Sequence, residues 1–274
     1  MLRARLDAVD EQLHDLLMRR AEIVEGVARD GGKTGAKIRP GREAKILRRL
    51  LARHAGSMPP QAVTRVWREI FAASLVIEGG QVIAVCDGEG GADRMALARE
   101  HFGPLTPVRR HHNPAQTLAD VARDTAQLAV LPAPTQDDDA HGGWWEMLTG
   151  HGQHRLFVIA KLPFWSKRAE GSPQGVAFVV AGIPPDESGA DRSMVALVLA
   201  ADTSRTRVAS LLTEAGFTPG QFWLRRMPGD SRIRALVEVD GVIEDEDPRL
   251  AAIAGLEGKP FVVGAYAMPY VEEA

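Results

Sequence analysis

Residues Leu2, Leu6, Val9, Leu13, Leu16, Arg20, Ile23 and Val27 recur at intervals of four and three, the spacing that gathers side chains on one face of an α-helix. The face is apolar except at Arg20. A guanidinium removed from water is costly unless anions or hydrogen-bond acceptors meet it, so whatever packs here must bring negative charge that the helix does not supply. The stretch RDGGKTGAKI, residues 29–38, carries no period and reads as a loop. A second helix opens at Arg39-Pro40, with proline where a first turn tolerates it, and sets Arg39, Glu43, Ile46 and Leu50 along one face. After GSMPP a third helix turns Val63, Trp67, Ile70, Ser74 and then Ile77 or Glu78 inward and ends at Gly79-Gly80. All three helices place polar groups in their apolar faces.

From Gln81 the period changes. QVIAVC reads as a buried strand, ADRMALAREHFG as a helix, TLADVARDTAQLAVLPAP as a helix and a strand, and HRLFVIAKLP as a further strand. SKRAEGSPQ reads as a linker, GVAFVVAG as an extra strand, and IPPDESGADRS as turns. The last region runs strand, helix, strand, strand, short helix, strand, which is a βαββαβ order. The expectation is a multidomain α and α+β chain. It has a three-helix N-terminal domain over 1–79, a central α/β lobe over 80–168, a linker with an extra strand over 169–191, and a C-terminal βαββαβ domain over 192–274.

Composition narrows the function classes. The 274 residues are 45% hydrophobic and 25% charged with a net charge of −3, so the whole molecule advertises neither nucleic-acid nor membrane binding. The charge is uneven: residues 1–79 hold 15 Lys and Arg against 10 Asp and Glu, whereas the remainder holds 18 against 26. The helical region therefore prefers anions. A single cysteine, Cys86, excludes an intramolecular disulfide and fits a reducing compartment. With no run of roughly 20 apolar residues, the chain reads as soluble and cytoplasmic. His141, His151 and His154 read as surface residues rather than metal ligands, and Trp144-Trp145 as core or domain-interface residues. No metal or cofactor is expected.

The arrangement of Arg3, then Leu-Leu-x-x-Arg ending at Arg20, then Arg39-Pro40-x-Arg42-Glu43, then Ser74-x-x-x-Glu78 resembles the all-helical, intertwined-dimer class of chorismate mutase. The resemblance covers residues 1 to 79. It implies a homodimer in which Arg3 enters the site of the partner chain, and it implies a substrate pair, chorismate and prephenate. Arg3 and Arg20 would hold carboxylates, Arg42 would bind the ring end, Glu43 would accept from the substrate hydroxyl, Ser74 would bond a carboxylate, and Glu78 would reach the ether oxygen. Where the family carries a lysine that donates to that oxygen, this chain has Gly31, which leaves Lys33 or Lys37 as substitutes. Arg39, also counted with the substrate-binding residues, stands where many relatives carry an aspartate.

The residue types suit the chemistry. Chorismate rearranges to prephenate within one dicarboxylate molecule, so rigid clamps and donors to the ether oxygen suffice, and the arginine fork binds carboxylate bidentately. Glu78 helps only as its protonated acid, so turnover is expected to rise as pH falls toward about 5, with Glu78→Gln flattening the profile. Downstream, VIAVCDGEGGADRMALAREHFG and HRLFVIAK resemble prephenate dehydratase, and the last region resembles an ACT regulatory domain. The dehydratase Thr-Arg-Phe signature would fall on His154-Arg155-Leu156, without the threonine hydroxyl, and only about 90 residues are left for a two-lobed domain. Dehydratase activity is therefore not expected. Two further readings compete with a working mutase. One is a non-catalytic sensor of chorismate, prephenate or an aromatic amino acid, which Gly31 favours and the retained Arg3, Arg20, Arg42 and Glu43 disfavour; the other is a bifunctional mutase/dehydratase.

Overall fold

A computed structural model describes residues 1–31, 36–88, 91–135, 143–149, 155–226 and 229–271. Lys33, His141, His151 and His154 lie outside the described residues. Three helices come first: α1 (Leu2–Gly31), α2 (Pro40–Ala52) and α3 (Pro60–Ile77). There follow β1 (Ile83–Cys86), α4 (Gly91–Phe102), β2 (Val108–His111), α5 (Pro114–Ala122), β3 (Leu128–Pro132), a 3-10 helix over Trp144–Thr149, β4 (Phe157–Leu162) and β5 (Ala177–Ala181). The last part is β6 (Asp191–Ala200), α6 (Arg205–Glu214), β7 (Pro219–Arg226), β8 (Arg232–Asp240), α7 (Pro248–Ala251) and β9 (Phe261–Ala267).

Among the described residues nine strands form one sheet in the order β2-β1-β3-β5-β4-β9-β6-β8-β7. β1 lies parallel to β2 and β3, and alternation sorts its residues: Ile83 and Val85 pack under α4 with Leu97 and Phe102, while Ala84 and Cys86 face α5 with Leu118 and Val121. β6 to β9 pair antiparallel in the order β9-β6-β8-β7, the split βαβ arrangement expected from the element order. Their α6 and α7 cover one face through Val208, Leu211, Leu212, Leu250 and Ile253. Trp144, Trp145, Phe178 and Tyr266 fill the other.

The structure joins what the sequence pattern separates. The strand assigned to a linker, β5, is fully buried and sits between β3 and β4, so the sheet runs unbroken from the central lobe into the C-terminal βαββαβ unit. The junction is the pairing of Val158 with Gly264, where a Cβ would lie 2.2 Å from the Val158 carbonyl oxygen; only glycine admits that approach. A second difference is β2, which the pattern leaves unassigned because its four residues, VRRH, form a charged edge with no apolar alternation.

The helical region divides in two. The α2–α3 hairpin is docked on the α/β body: Ala44, Leu47 and Phe71 share a cluster with Phe164 and Ala267, and Leu75 joins the core under α4. α1 is otherwise. Residues 1–19 are all exposed, with Leu2, Leu6, Leu13 and Leu16 between 53% and 73% accessible. The apolar face read from the sequence is present, but in one chain nothing covers most of it. No helix of the described residues is long and apolar enough to cross a membrane.

Trp144 is fully buried, and its indole N–H donates to the Pro132 carbonyl at 2.9 Å. Trp144→Ala is expected to lower the unfolding free energy by about 3–5 kcal/mol, measured as a fall in the urea midpoint.

Candidate active site

α1 carries Arg20 to α3, and there the guanidinium donates to the Ser74 hydroxyl. Ser74 in turn donates to the Ile70 carbonyl at 2.7 Å, which fixes its hydroxyl within the helix. Arg20 also lies 5.9 Å from the centre of the Phe71 ring. Burial holds its pKa below the usual value, and the nearby charge of Arg42 adds to this, while Glu43 and Glu78 oppose it. These four charged residues therefore share one electrostatic site.

α3 ends where the sequence pattern places its end. The Gly80 N–H bonds to the Leu75 carbonyl at 2.9 Å and the Gly79 N–H to the Val76 carbonyl at 3.1 Å, leaving Glu78 as the capping residue. Lys37, at the far side of the α1–α2 connection, donates to the Glu78 carbonyl. Of the two lysines offered as substitutes for Gly31, Lys37 thus stands at the end of α3, and Lys33 falls outside the described residues.

The inner faces of α2 and α3 differ from the expected ones. On α2 the buried positions are Pro40, Gly41, Glu43, Ala44, Leu47 and Leu51, with Ile46 and Leu50 only half-buried, and Arg39 precedes the helix. On α3 they are Thr64, Arg68, Phe71, Ser74 and Leu75, whereas Val63, Trp67 and Ile70 are half-buried and Ile77 is exposed. α3 is apolar around most of its circumference, so more than one stripe fits the helical period there. The body, through Phe164 and α4, selects the stripe one residue further on.

That shift uncovers Arg68. It donates to Glu43 Oε2 at 2.7 Å, approaches His101 Nε2 of α4 at 3.4 Å, and packs over the Phe164 ring at 5.3 Å. Burial pushes the Glu43 carboxyl up to about 7, with Arg68 pulling against it and Asp186 adding to it. Burial, and then the charge of Arg68, hold His101 well below its ordinary value, so its ring accepts from the guanidinium as the neutral base. Burial thus raises the proton affinity of Glu43, which the sequence reading treats only as an acceptor.

Arg3 is not gathered here, and Arg42 stands at the open edge of the site. Arg3 lies seventeen residues before Arg20, about 26 Å along the helix, and is exposed. Arg42 is exposed as well, although its backbone N–H and that of Gly41 both bond to the Asp186 carboxylate at 2.9 Å. One chain therefore leaves the site open on the side of Arg42. A cavity of about 490 Å³ lies elsewhere, in the α/β body, lined by Trp145, Glu146, Arg155, Arg234, Asp245 and Phe261 among others. Arg155, on which the dehydratase signature falls, is bound there by both oxygens of Asp245 and by the Val262 carbonyl at 2.6 Å, between the rings of Phe157 and Phe261. No cluster of metal-ligating side chains occurs among the described residues.

Because Glu43 binds its proton more tightly folded than unfolded, its contribution favours the folded state most below its unfolded value and fades as pH rises through about 7. Buried neutral His101 has the opposite sign, gaining as pH rises toward its ordinary value. Subtracting the urea stability of wild type from that of Glu43→Gln isolates the first: the difference is expected to move in favour of the variant between about pH 4.5 and 7 and then level off.

Comparison with known proteins bears on the helical residues first: residues 2–79 match the family chorismate mutase type II. A bifunctional chorismate mutase/prephenate dehydratase from Pseudomonas aeruginosa is 28% identical over 145 residues, covering 51% of this chain and 40% of that protein. One from Neisseria gonorrhoeae is 31% identical over 137 residues, covering 49% and 36%. Both alignments are longer than the helical domain and so extend into the α/β body. The matched part spans about two fifths of these relatives' length. The structure of prephenate dehydratase from Arthrobacter aurescens in complex with L-Phe superposes with a TM-score of 0.47 at 15% identity, covering 69% of this chain and 92% of that one. The three helices that gather Arg20, Glu43, Ser74 and Glu78, residues 2–79, are a chorismate mutase type II domain.

Proposed function

We propose that the protein is a homodimeric chorismate mutase whose site is completed by a second copy. The observation that carries this reading is the half-buried Arg20 guanidinium. Among the described residues it is met by a neutral hydroxyl, with Arg42, Glu43 and Glu78 around it, so that a carboxylate of the substrate supplies the missing anion.

In the rearrangement the ether C–O bond breaks as a C–C bond forms within the same molecule, and no atom enters or leaves. Negative charge grows on the ether oxygen. Arg20 and Ser74 hold one carboxylate, Arg42 faces the ring end, and Glu43 accepts from the substrate hydroxyl. Because Arg68 occupies Glu43 Oε2, Oε1 remains the acceptor. Lys37, beside Glu78, takes the donor position that Gly31 leaves empty. Arg39 and Lys33 belong to the same basic rim. Arg3 serves the partner, since it is about 26 Å from Arg20 of its own chain and the uncovered apolar face of α1 leads to it. The C-terminal βαββαβ unit fits an ACT-like domain and the central lobe a shortened dehydratase-like one. The Arg155–Asp245 pair and the missing threonine both support a lobe without dehydratase chemistry.

The test is loss of chorismate absorbance, followed by assay for phenylpyruvate. Turnover without phenylpyruvate is the expected outcome; binding without turnover supports the sensor, and phenylpyruvate at an enzymatic rate supports the bifunctional enzyme. Arg20→Ala and Lys37→Ala are each expected to lower kcat/KM by about 100-fold or more. Mixing Arg3→Ala with Arg20→Ala protomers after dissociation is expected to restore roughly a quarter of wild-type activity, because half of the random dimers then hold one intact site of two. Recovery of none would remove the shared site.

A further inference from the structure

The helix that carries Arg42 and Glu43 is not capped by its own domain. Its N-cap residue is Arg39, which has no acceptor and makes no capping bond. The first turn would leave its N–H groups unsatisfied, yet the Gly41 and Arg42 N–H groups bond to Asp186 Oδ1 and Oδ2, each at 2.9 Å. Asp186 belongs to the β5–β6 connection, about 145 residues away in the chain. The approach is so close that a Cβ on Gly41 would lie 2.0 Å from the Asp186 carbonyl oxygen. Less than two turns further along α2, Arg48 holds the same connection, donating to Ser188 Oγ at 2.8 Å, to the Ser188 and Ala190 carbonyls at 3.1 Å, and to the Met268 carbonyl at 2.7 Å.

We infer that Asp186 of the α/β body is a positioning residue for the mutase site: its carboxylate closes the N-terminus of the catalytic helix and fixes Arg42 and Glu43 toward the substrate. The inference rests on the function proposed above. The body is then part of the catalytic apparatus, for without it the active-site helix begins with an arginine in place of a cap. The carboxylate also bears on Glu43 through space. The groups facing Glu43 are Arg68 from α3, Arg20 from α1 and Asp186 from the β5–β6 connection, with His101 of α4 behind Arg68 and Arg42 beside it in α2. Asp186 is the negative one, and it raises the proton affinity of Glu43.

The experiment uses the full chain and three changes at this contact. Asp186→Ala removes cap and charge and is expected to lower kcat/KM about tenfold at pH 7 in protein that stays folded by circular dichroism. Asp186→Asn keeps an acceptor and loses the charge; kcat/KM is expected to stay within about threefold of wild type, while the inflection of the pH profile belonging to Glu43 moves to lower pH. A purely structural tie would move the urea midpoint without moving the pH profile. Wild-type turnover with Asp186→Ala unchanged in kcat, KM and pH profile overturns the inference and leaves the function standing. If wild type turns over no chorismate, the function falls, and calorimetric titration with prephenate decides the inference: binding weakened about tenfold by Asp186→Ala supports it, and equal or absent binding overturns it. Gly41→Ala, which forces the connection away without altering any charge, is expected to copy the loss of Asp186→Ala.

Discussion

A guanidinium between packed helices must be answered by negative charge, and two such groups organise the helical domain. Arg68 is answered from within: Glu43 meets it at 2.7 Å, His101 takes a second contact, and Phe164 covers its face. Arg20 is answered only in part, by the hydroxyl of Ser74. The first arrangement holds the site rigid, because breaking a buried pair by removing one partner leaves a charge that the interior cannot solvate. The second leaves room for a ligand. In the proposed function a dicarboxylate is selected by what the protein leaves unpaired as much as by what it presents.

The same logic extends outward through two contacts. On one side, the apolar face of α1 is bare over residues 1–19, the surface on which the proposed second copy would sit. On the other side, the α/β body caps α2 through Asp186, clamps it through Arg48 and lends Phe164 and Ala267 to its core. The helices that carry Arg20 and Glu43 therefore meet the appended sheet on one side and, in the proposed dimer, a second copy on the other. One continuous sheet joins the central lobe to the C-terminal unit behind that contact.

Much of this was legible along the chain, and the exceptions share a cause. The α1 stripe, the Gly79-Gly80 stop and the βαββαβ order follow from local periodicity and turn chemistry, which act over a few residues. Arg20 and Ser74 were placed together by a resemblance and meet in the structure. Arg68 escaped because α3 offers two apolar stripes one residue apart, and the choice between them is made by α4 and Phe164, which a local pattern does not contain. The spacing of Thr64, Arg68, Phe71 and Leu75 was the available signal. Asp186 escaped for a stronger reason: its role is defined by a contact about 145 residues distant, and its own surroundings, IPPDESGADRS, announce only turns. β5 read as a linker strand because a short, fully buried run carries no record of which neighbours it will join.

The central claim is that a doubly charged small molecule completes the coordination of arginines that the folded dimer leaves unpaired. Calorimetric titration with prephenate and with an ester of it that lacks one carboxylate, at equal ionic strength, tests this most directly. The account predicts one prephenate bound per protomer and an affinity at least about tenfold weaker for the ester. Equal affinity for the two, or no binding of either, would contradict it.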